Sequence, residues 1–145
     1  MINNIALSRN IIISILLIIV CCILSFAAFI VGIEDNPPGI ALAFLSTIAL
    51  VLVFVHSMRT TKQFRYVIYT SGMGFVLSVI LHNVFEGIAF KVGETNPVFG
   101  VINGAGVAFF LIALFVCPMA FLIGLIGAGI ISKRERRNKK NPSAA

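Results

Sequence analysis

Residues 11–33 read IIISILLIIVCCILSFAAFIVGI, a continuous apolar run that contains no charged side chain. A helix needs about 20 apolar residues to cross a bilayer core of about 30 Å, so this run is long enough to span a membrane. Comparable runs occupy residues 37–57, 66–90 and 98–131. Because their apolar residues do not alternate with polar ones, the four runs predict helices and not the strands of a β-barrel.

The composition favours lipid as the main solvent of the chain. Hydrophobic residues make up 59% of the sequence and charged residues only 11%, with a mean hydropathy of +1.08. A soluble domain carries about 25% charged residues, so this chain has too few polar side chains to cover a surface that faces water. The first run exceeds the apolar core of a signal peptide, about 7 to 15 residues, and we expect it to remain as the first helix. The fourth run is longer than a bilayer requires, and Pro118 predicts a bend within it.

Charge asymmetry predicts the orientation. In a four-helix topology the N-terminal tail, the second connection and the C-terminal tail lie on one side. They hold most of the basic residues, namely Arg9, Arg59, Lys62, Arg65, Lys133, Arg134, Arg136, Arg137, Lys139 and Lys140. The other side holds Lys91 with Glu34, Asp35 and Glu94. The positive-inside rule therefore predicts a multi-pass protein of the cell membrane with both termini in the cytoplasm.

The connections predict how the helices are arranged. Both outer connections are short and end in Asn-Pro, at Asn36-Pro37 and Asn96-Pro97, where Asn is a helix cap and Pro the first helical residue. This predicts two helical hairpins in an antiparallel up-down bundle. We divide the chain into a transmembrane domain, residues 1–132, and a basic cytoplasmic tail, residues 133–145, with a disordered end. The net charge of +6 then reports topology and not nucleic-acid binding, and the tail is expected to contact anionic lipid headgroups.

Small residues predict where helices pack closely. Gly100, Gly104 and Ala108 recur every four residues on one face of the fourth run, and small residues let membrane helices approach each other. We predict that the third and fourth helices form the tightest pair. The spacing leaves open whether such faces bind within one chain or between chains.

A polar cluster interrupts the third run, where residues 82–87 read HNVFEG. His82 and Glu86 are four residues apart and share one face of a helix, whereas Asn83 is rotated from His82 by about 100°. On the fourth helix, Asn103 would lie at a similar depth. We expect His82, Glu86 and Asn103 to converge beneath the outer surface.

Three interpretations of this cluster remain open. The first is an interhelical hydrogen-bond clamp, in which Glu86 pairs with His82 and is bridged to Asn103. The second is a metal or proton site with His82 and Glu86 as ligands and Asn103 or Asn83 as an additional donor. The third is a catalytic acid or base, since ionisable groups inside a membrane are candidates for functional sites.

HNVFEG also resembles the H-[N/S]-x-x-[D/E]-G motif in a metal-coordinating helix of the ZIP zinc/iron transporters. The resemblance implies that His82, Asn83 and Glu86 are transport-site ligands. It covers six residues of this chain, and the second His/Glu motif that ZIP proteins carry on a neighbouring helix is missing from the sequence. We use the resemblance as a chemical analogy and assign no family from it.

Sequence motifs of the common enzyme classes are missing, which favours a protein without catalytic activity. The sequence contains no G-x-S-x-G, P-loop, Rossmann or HExxH motif, and its three cysteines match neither a zinc site nor a CxxC pair. A haem held by His56 and His82 is rejected, because the topology places these residues near opposite surfaces. We predict a non-catalytic protein without a cofactor, an accessory or assembly subunit whose partners are other membrane proteins or a second copy. The alternative is a small cation, proton or divalent-metal transporter, or a channel-like oligomer, that uses His82 and Glu86.

Overall fold

A computed structural model describes residues 2–33 and 36–140, and helices make up nearly all of this part of the chain. The elements are α1 (Ile2–Val31), α2 (Pro37–Val55), α3 (Thr61–Val92), α4 (Phe99–Leu111), a π-helical turn (Ile112–Val116) and α5 (Cys117–Lys140). The segment from α4 to α5 is continuous and forms the fourth span. Four helices are long and apolar enough to cross a membrane, which confirms the predicted all-α class and the predicted number of helices of this length.

Several helices extend beyond the apolar runs. α1 begins at Ile2, and α5 continues to Lys140, so residues 133–140 of the basic tail are helical. α3 begins at Thr61 because Thr60 starts a capping box, in which the Gln63 amide donates to the Thr60 hydroxyl at 3.4 Å. The predicted disorder of residues 141–145 and the acidic pair at 34–35 lie outside the described residues.

The helices pair as two antiparallel hairpins, α1 with α2 and α3 with the fourth span. At one end His56 Nε2 lies 3.3 Å from the Asn10 carbonyl oxygen, which joins the end of α2 to the start of α1. At the same end the Thr61 amide donates to Glu135 Oε1 at 3.3 Å, which joins α3 to α5. We call this the basic end, because Arg59, Lys62, Arg65 and the basic residues of α5 lie there, and we call the other the opposite end.

The α1–α2 hairpin is held by a close backbone approach and by hydroxyl groups. A Cβ on Gly39 would overlap the carbonyl oxygen of Gly32, so only glycine fits at this position. The hydroxyls of Ser25 and Ser46 lie 2.6 Å apart, and Ser46 also donates to the Cys21 carbonyl at 3.2 Å. Both hydrogen bonds join α1 to α2.

The structure confirms the predicted N-cap position of Asn36, but the one predicted at Asn96 is wrong, since α4 begins at Phe99 with Val98 as its N-cap. Asn36 occupies the N-cap of α2 with Pro37 as the first helical residue, but its side chain donates to the Val31 carbonyl at 2.8 Å. Asn96 lies just before α4, where its side-chain oxygen accepts the Val98 amide at 3.0 Å. Asn36 therefore secures the end of α1, and Asn96 secures the turn that leads into α4.

Glycines of the fourth span face α3. A Cβ on Gly106 would lie 3.5 Å from Phe85 Cβ, and one on Gly124 would lie 2.9 Å from Ile68 Cγ1. Gly127 lies under the Phe64 ring, which a Cβ there would overlap. α3 and the fourth span are packed closely over their lengths, in agreement with the predicted pair.

α2 lies in the middle of the molecule and α1 at its edge. A third (33%) of the apolar window of α2 is buried, compared with 6% for α1. At the basic end, Val51 and Val55 of α2 form a buried cluster with Phe64 of α3. α2 also contacts the π-helical turn and α5, so the spans follow one another in the spatial order α1, α2, fourth span, α3.

The predicted irregularity at Pro118 is a π-helical turn that directly precedes it. Within this turn the Cys117 amide donates to the Ile112 carbonyl, five residues earlier. Proline has no amide hydrogen, and its ring crowds the carbonyl four residues before it. A single π turn changes the hydrogen-bond register just before Pro118, and the helix then continues to Lys140.

Candidate functional site

The polar cluster lies on α3 near the opposite end. Glu86 is six residues and His82 ten residues before the last residue of α3, Val92, which corresponds to about 9 Å and 15 Å along the helix. Both positions therefore lie within the apolar part of the span, Glu86 close to its border.

His82 joins α3 to α4. Its Nδ1 lies 3.0 Å from the carbonyl oxygen of Gly106, and its ring contacts that of Phe110 in a tilted arrangement, with a centroid distance of 5.2 Å and an interplanar angle of 46°. A carbonyl oxygen only accepts, so Nδ1 carries the hydrogen of this bond. α3 and α4 lie close together here, since a Cβ on Gly106 would be 3.8 Å from the His82 carbonyl oxygen, an ordinary van der Waals distance. His82 therefore forms an interhelical hydrogen bond to a backbone carbonyl, whereas the clamp that we expected bridges Glu86 to Asn103.

Glu86 points away from the bundle. Its Oε2 lies 3.6 Å from His82 Nε2, and 68% of its side chain is exposed, compared with 27% for His82. Since Nδ1 is the donor to Gly106, Nε2 in the neutral ring holds a lone pair directed to the side of Glu86. The separation is longer than a hydrogen bond, so the two groups form a loose pair with an open side.

The two asparagines do not join this pair. Asn83 donates to the Val79 carbonyl of its own helix at 2.7 Å and is exposed, in line with its predicted rotation away from His82. Asn103 is also exposed, and no hydrogen bond links it to His82 or Glu86 in the described part of the chain. Its role as a third donor stays a prediction.

The pair offers two donors to a cation. Within residues 2–33 and 36–140, no group of three or more His, Cys, Asp or Glu side chains is close enough to hold a metal ion. A histidine whose Nδ1 donates to a backbone carbonyl resembles metal-binding histidines, in which this second hydrogen bond orients the ring. The chemistry of His82 and Glu86 thus fits half of a metal site, and the predicted metal role remains untested.

His56 terminates α2 at the basic end. It is the C-cap of α2, where its Nδ1 lies 2.9 Å from the Val53 carbonyl and 3.1 Å from the Leu52 carbonyl. Its Nε2 faces Asn10 at the basic end, whereas His82 lies near the opposite end. The two histidines therefore do not share a site.

Sequence reasoning did not identify the partners of Glu135. Its carboxylate accepts the amide and the hydroxyl of Thr61 at 3.3 Å and 3.1 Å, at the first residue of α3. A carboxylate is favourable at a helix N-terminus, where it meets unpaired amides and the positive end of the dipole. The sequence pattern gave little indication of this role, since Glu135 is a single acidic residue between two arginines.

No protein-family model, curated protein or solved structure matches this chain. Any function has to be inferred from the geometry of the helices and from the charges at their ends.

Proposed function

We propose that this chain is an integral protein of the cell membrane that acts without catalysis, as an accessory or assembly subunit. In this proposal the four spans cross the bilayer and the basic end lies in the cytoplasm with both termini. The four apolar helices support insertion. The concentration of Arg and Lys at one end supports the orientation, because positively charged loops stay on the cytoplasmic side.

The observation that carries the assembly role is that polar and small residues of α3 and α4 lie on the outside of the bundle. Glu86, Asn83 and Asn103 are exposed. Gly100 and Gly104 are exposed as well, and a Cβ on either would meet nothing within 4 Å. We call four of the exposed residues of α4, namely Gly100, Gly104, Val107 and Ala108, the outer face of α4.

This arrangement is unfavourable if lipid is the only neighbour. Polar side chains inside a membrane usually face the interior of a bundle or a partner. The outer face of α4 is shaped for a close helix contact, because small residues let two backbones approach and form van der Waals contacts. Asn103 is next to this face and has an amide that could bond across such a contact. A transmembrane helix of another protein, or of a second copy, fits these properties.

Site-specific photo-crosslinking in native membranes tests this role. A photoreactive phenylalanine analogue is introduced at Val107 on the outer face of α4, where 48% of the side chain is exposed, and at Ile23 of α1 as control, with 62% exposed. Each position is eight residues from the helix end nearest the opposite end of the molecule, so the two probes have matched depth. We expect a discrete protein adduct from Val107 and only lipid adducts from Ile23. Lipid adducts alone at both positions would contradict the assembly role.

The orientation has its own test. A reporter whose signal depends on its compartment is inserted in the connection at Glu94 or fused after the last residue. We expect a cytoplasmic signal from the C-terminal fusion and an external signal from the insertion at Glu94. Signals from the same compartment would exclude this topology.

The geometry of His82 favours a second function, the handling of a cation or a proton. The bond from Nδ1 to Gly106 leaves Nε2 available on the exposed side of the ring, 3.6 Å from Glu86. In this proposal the pair binds a divalent ion or exchanges a proton, and the remaining ligands come from water or from a second copy. Metal content of the purified protein is compared with that of His82→Ala and Glu86→Gln. Equal trace metal in all three proteins would exclude the metal function.

A further inference from the structure

A cavity of about 210 Å³ at the basic end of α3 is lined by Lys62, Arg65, Tyr66 and Tyr69. Lys62 is three and four residues from Arg65 and Tyr66, and Tyr69 is four and three residues beyond them, so the four residues lie on a single face of the helix. All four are exposed, and both tyrosines of the chain are among them. We call this the Lys-Tyr pocket.

The packing of α3 turns this pocket away from the rest of the protein. Phe64 and Ile68, on the other side of the same turns, lie against Gly127 and Gly124 of α5. The Lys-Tyr pocket therefore opens to the surroundings of the bundle. Its residues begin at the second position of α3 and reach about 10 Å along the helix, over the depth of a membrane interface.

The charge of the pocket is not neutralised by the protein. Glu135 is the only acidic residue in the sequence on this side of the spans, and its carboxylate is engaged by Thr61 at the start of α3. Among the described residues, the one contact within 4.0 Å between a basic and an acidic side chain is that of His82 with Glu86, at the other end of the molecule. Lys62 and Arg65 thus present two positive charges without a carboxylate partner in the described part of the chain.

The tyrosines give the pocket a second property. Each has 70% of its surface exposed, with an apolar ring and a hydroxyl that donates a hydrogen bond. Tyrosine is favoured at membrane interfaces because its ring meets acyl chains while its hydroxyl meets polar headgroups. A free anion in water would use the two cations alone, whereas a lipid would use the cations and the rings.

We propose that the Lys-Tyr pocket binds the headgroup of one anionic phospholipid, such as phosphatidylglycerol, with the phosphate between Lys62 and Arg65. The tyrosine hydroxyls bond the phosphate or glycerol oxygens, and the rings contact the upper part of an acyl chain. A choline headgroup is disfavoured, since its cation would meet the two basic side chains. This inference rests on the proposed insertion in a membrane and is independent of the assembly role.

Intrinsic fluorescence reports this site directly, because the chain has two tyrosines and no tryptophan. The purified protein is placed in phosphatidylcholine nanodiscs that contain increasing fractions of phosphatidylglycerol. The variant Lys62→Gln/Arg65→Gln removes the charges of the pocket, and Lys133→Gln/Arg134→Gln removes the same charge from α5. Far-UV circular dichroism checks that all proteins remain helical.

We expect phosphatidylglycerol to change the tyrosine emission of the wild type and of the α5 variant. The pocket variant should need about 30 times more anionic lipid for the same change, from the loss of two interfacial charges. An equal response of the pocket variant and the wild type would overturn the proposal. An equal loss in both variants would overturn it too, since that indicates a general effect of net charge.

Further measurements distinguish a lipid headgroup from free phosphate as the bound anion, and failure of the headgroup site from failure of membrane insertion. Inorganic phosphate added to phosphatidylcholine nanodiscs should leave the emission unchanged, and a response would overturn the choice of a lipid. Native mass spectrometry of the wild type should retain one phosphatidylglycerol in preference to phosphatidylcholine, and equal retention would overturn the site. If the protein fails to float with phosphatidylcholine vesicles, membrane insertion is wrong and this inference falls with it. If it floats but does not respond to phosphatidylglycerol, only the headgroup site is wrong.

Discussion

Two glycines of α5, Gly127 and Gly129, give a sharp test of how α3 and α5 pack. A Cβ on Gly127 would overlap the ring of Phe64, whereas a Cβ on Gly129 would meet nothing within 4 Å. Phe64 is 8% exposed and belongs to the buried cluster with Val51 and Val55. Its ring therefore has no free space into which it could turn. We predict that Gly127→Ala destabilises the protein relative to Gly129→Ala.

The magnitude follows from two opposing terms. Replacing glycine by alanine inside a helix is favourable by about 1 kcal/mol, and this gain applies to both positions. At Gly127 the added methyl group must also displace a packed ring, and overpacking a core is unfavourable by about 1 to 3 kcal/mol. The propensity gain cancels in the comparison. The free energy of unfolding of Gly127→Ala should therefore be lower than that of Gly129→Ala by about 1 to 3 kcal/mol.

The assay is reversible unfolding in mixed micelles of a mild detergent and sodium dodecyl sulfate, followed by far-UV circular dichroism. A double-mutant cycle adds the substitution Phe64→Leu, which removes the ring that the new methyl group meets. In that background Gly127→Ala should become less unfavourable, by a coupling energy of about 0.5 to 3 kcal/mol. Equal stabilities of the two single variants, or additivity in the cycle, would refute the described contact between Phe64 and Gly127.

Three further substitutions probe the contacts between helices. Ser46→Ala removes the bond to Ser25 and the bond to a backbone carbonyl of α1, and should lower the free energy of unfolding by about 0.6 to 2 kcal/mol. Gly39→Ala places a methyl group against the Gly32 carbonyl oxygen; because both groups belong to the backbone, we expect a loss of about 3 kcal/mol or more, measured by the same unfolding assay. Glu135→Gln removes the negative charge at the start of α3. We expect α3 to form as before, with amide hydrogen exchange in its first turn faster by about fivefold, which corresponds to about 1 kcal/mol.

Each of these expectations has a result that would contradict it. Ser14→Ala serves as the control for Ser46→Ala, since Ser14 forms no interhelical hydrogen bond within the described residues. An equal effect of the two substitutions would exclude a special role for the Ser25–Ser46 pair. Gly72→Ala is the control for Gly39, since a Cβ at Gly72 meets nothing within 4 Å. For Glu135, unchanged exchange in α3 would mean that its carboxylate does not stabilise the helix start.

The spans and the shared face of His82 and Glu86 could be predicted because they depend on local properties of the chain. Whether a segment prefers lipid is decided by its own side chains. The relative direction of two residues four apart follows from the helical period. The ends were predicted less well: α3 begins earlier than expected, since the capping box at Thr60 adds turns before the apolar run.

The sequence by itself determined the number of helices long enough to span a membrane, their order along the chain and the charge difference between the two ends. Only the tertiary structure decided which glycines contact a neighbouring helix: Gly106 and Gly127 face α3, whereas Gly104 faces outward. In a lipid environment all sides of a span are apolar, so hydrophobic patterning does not indicate which side meets a neighbour. The tertiary structure also gave His82 its partner, the carbonyl of Gly106. Every residue has a carbonyl group, and only the close approach of two helices makes this one available.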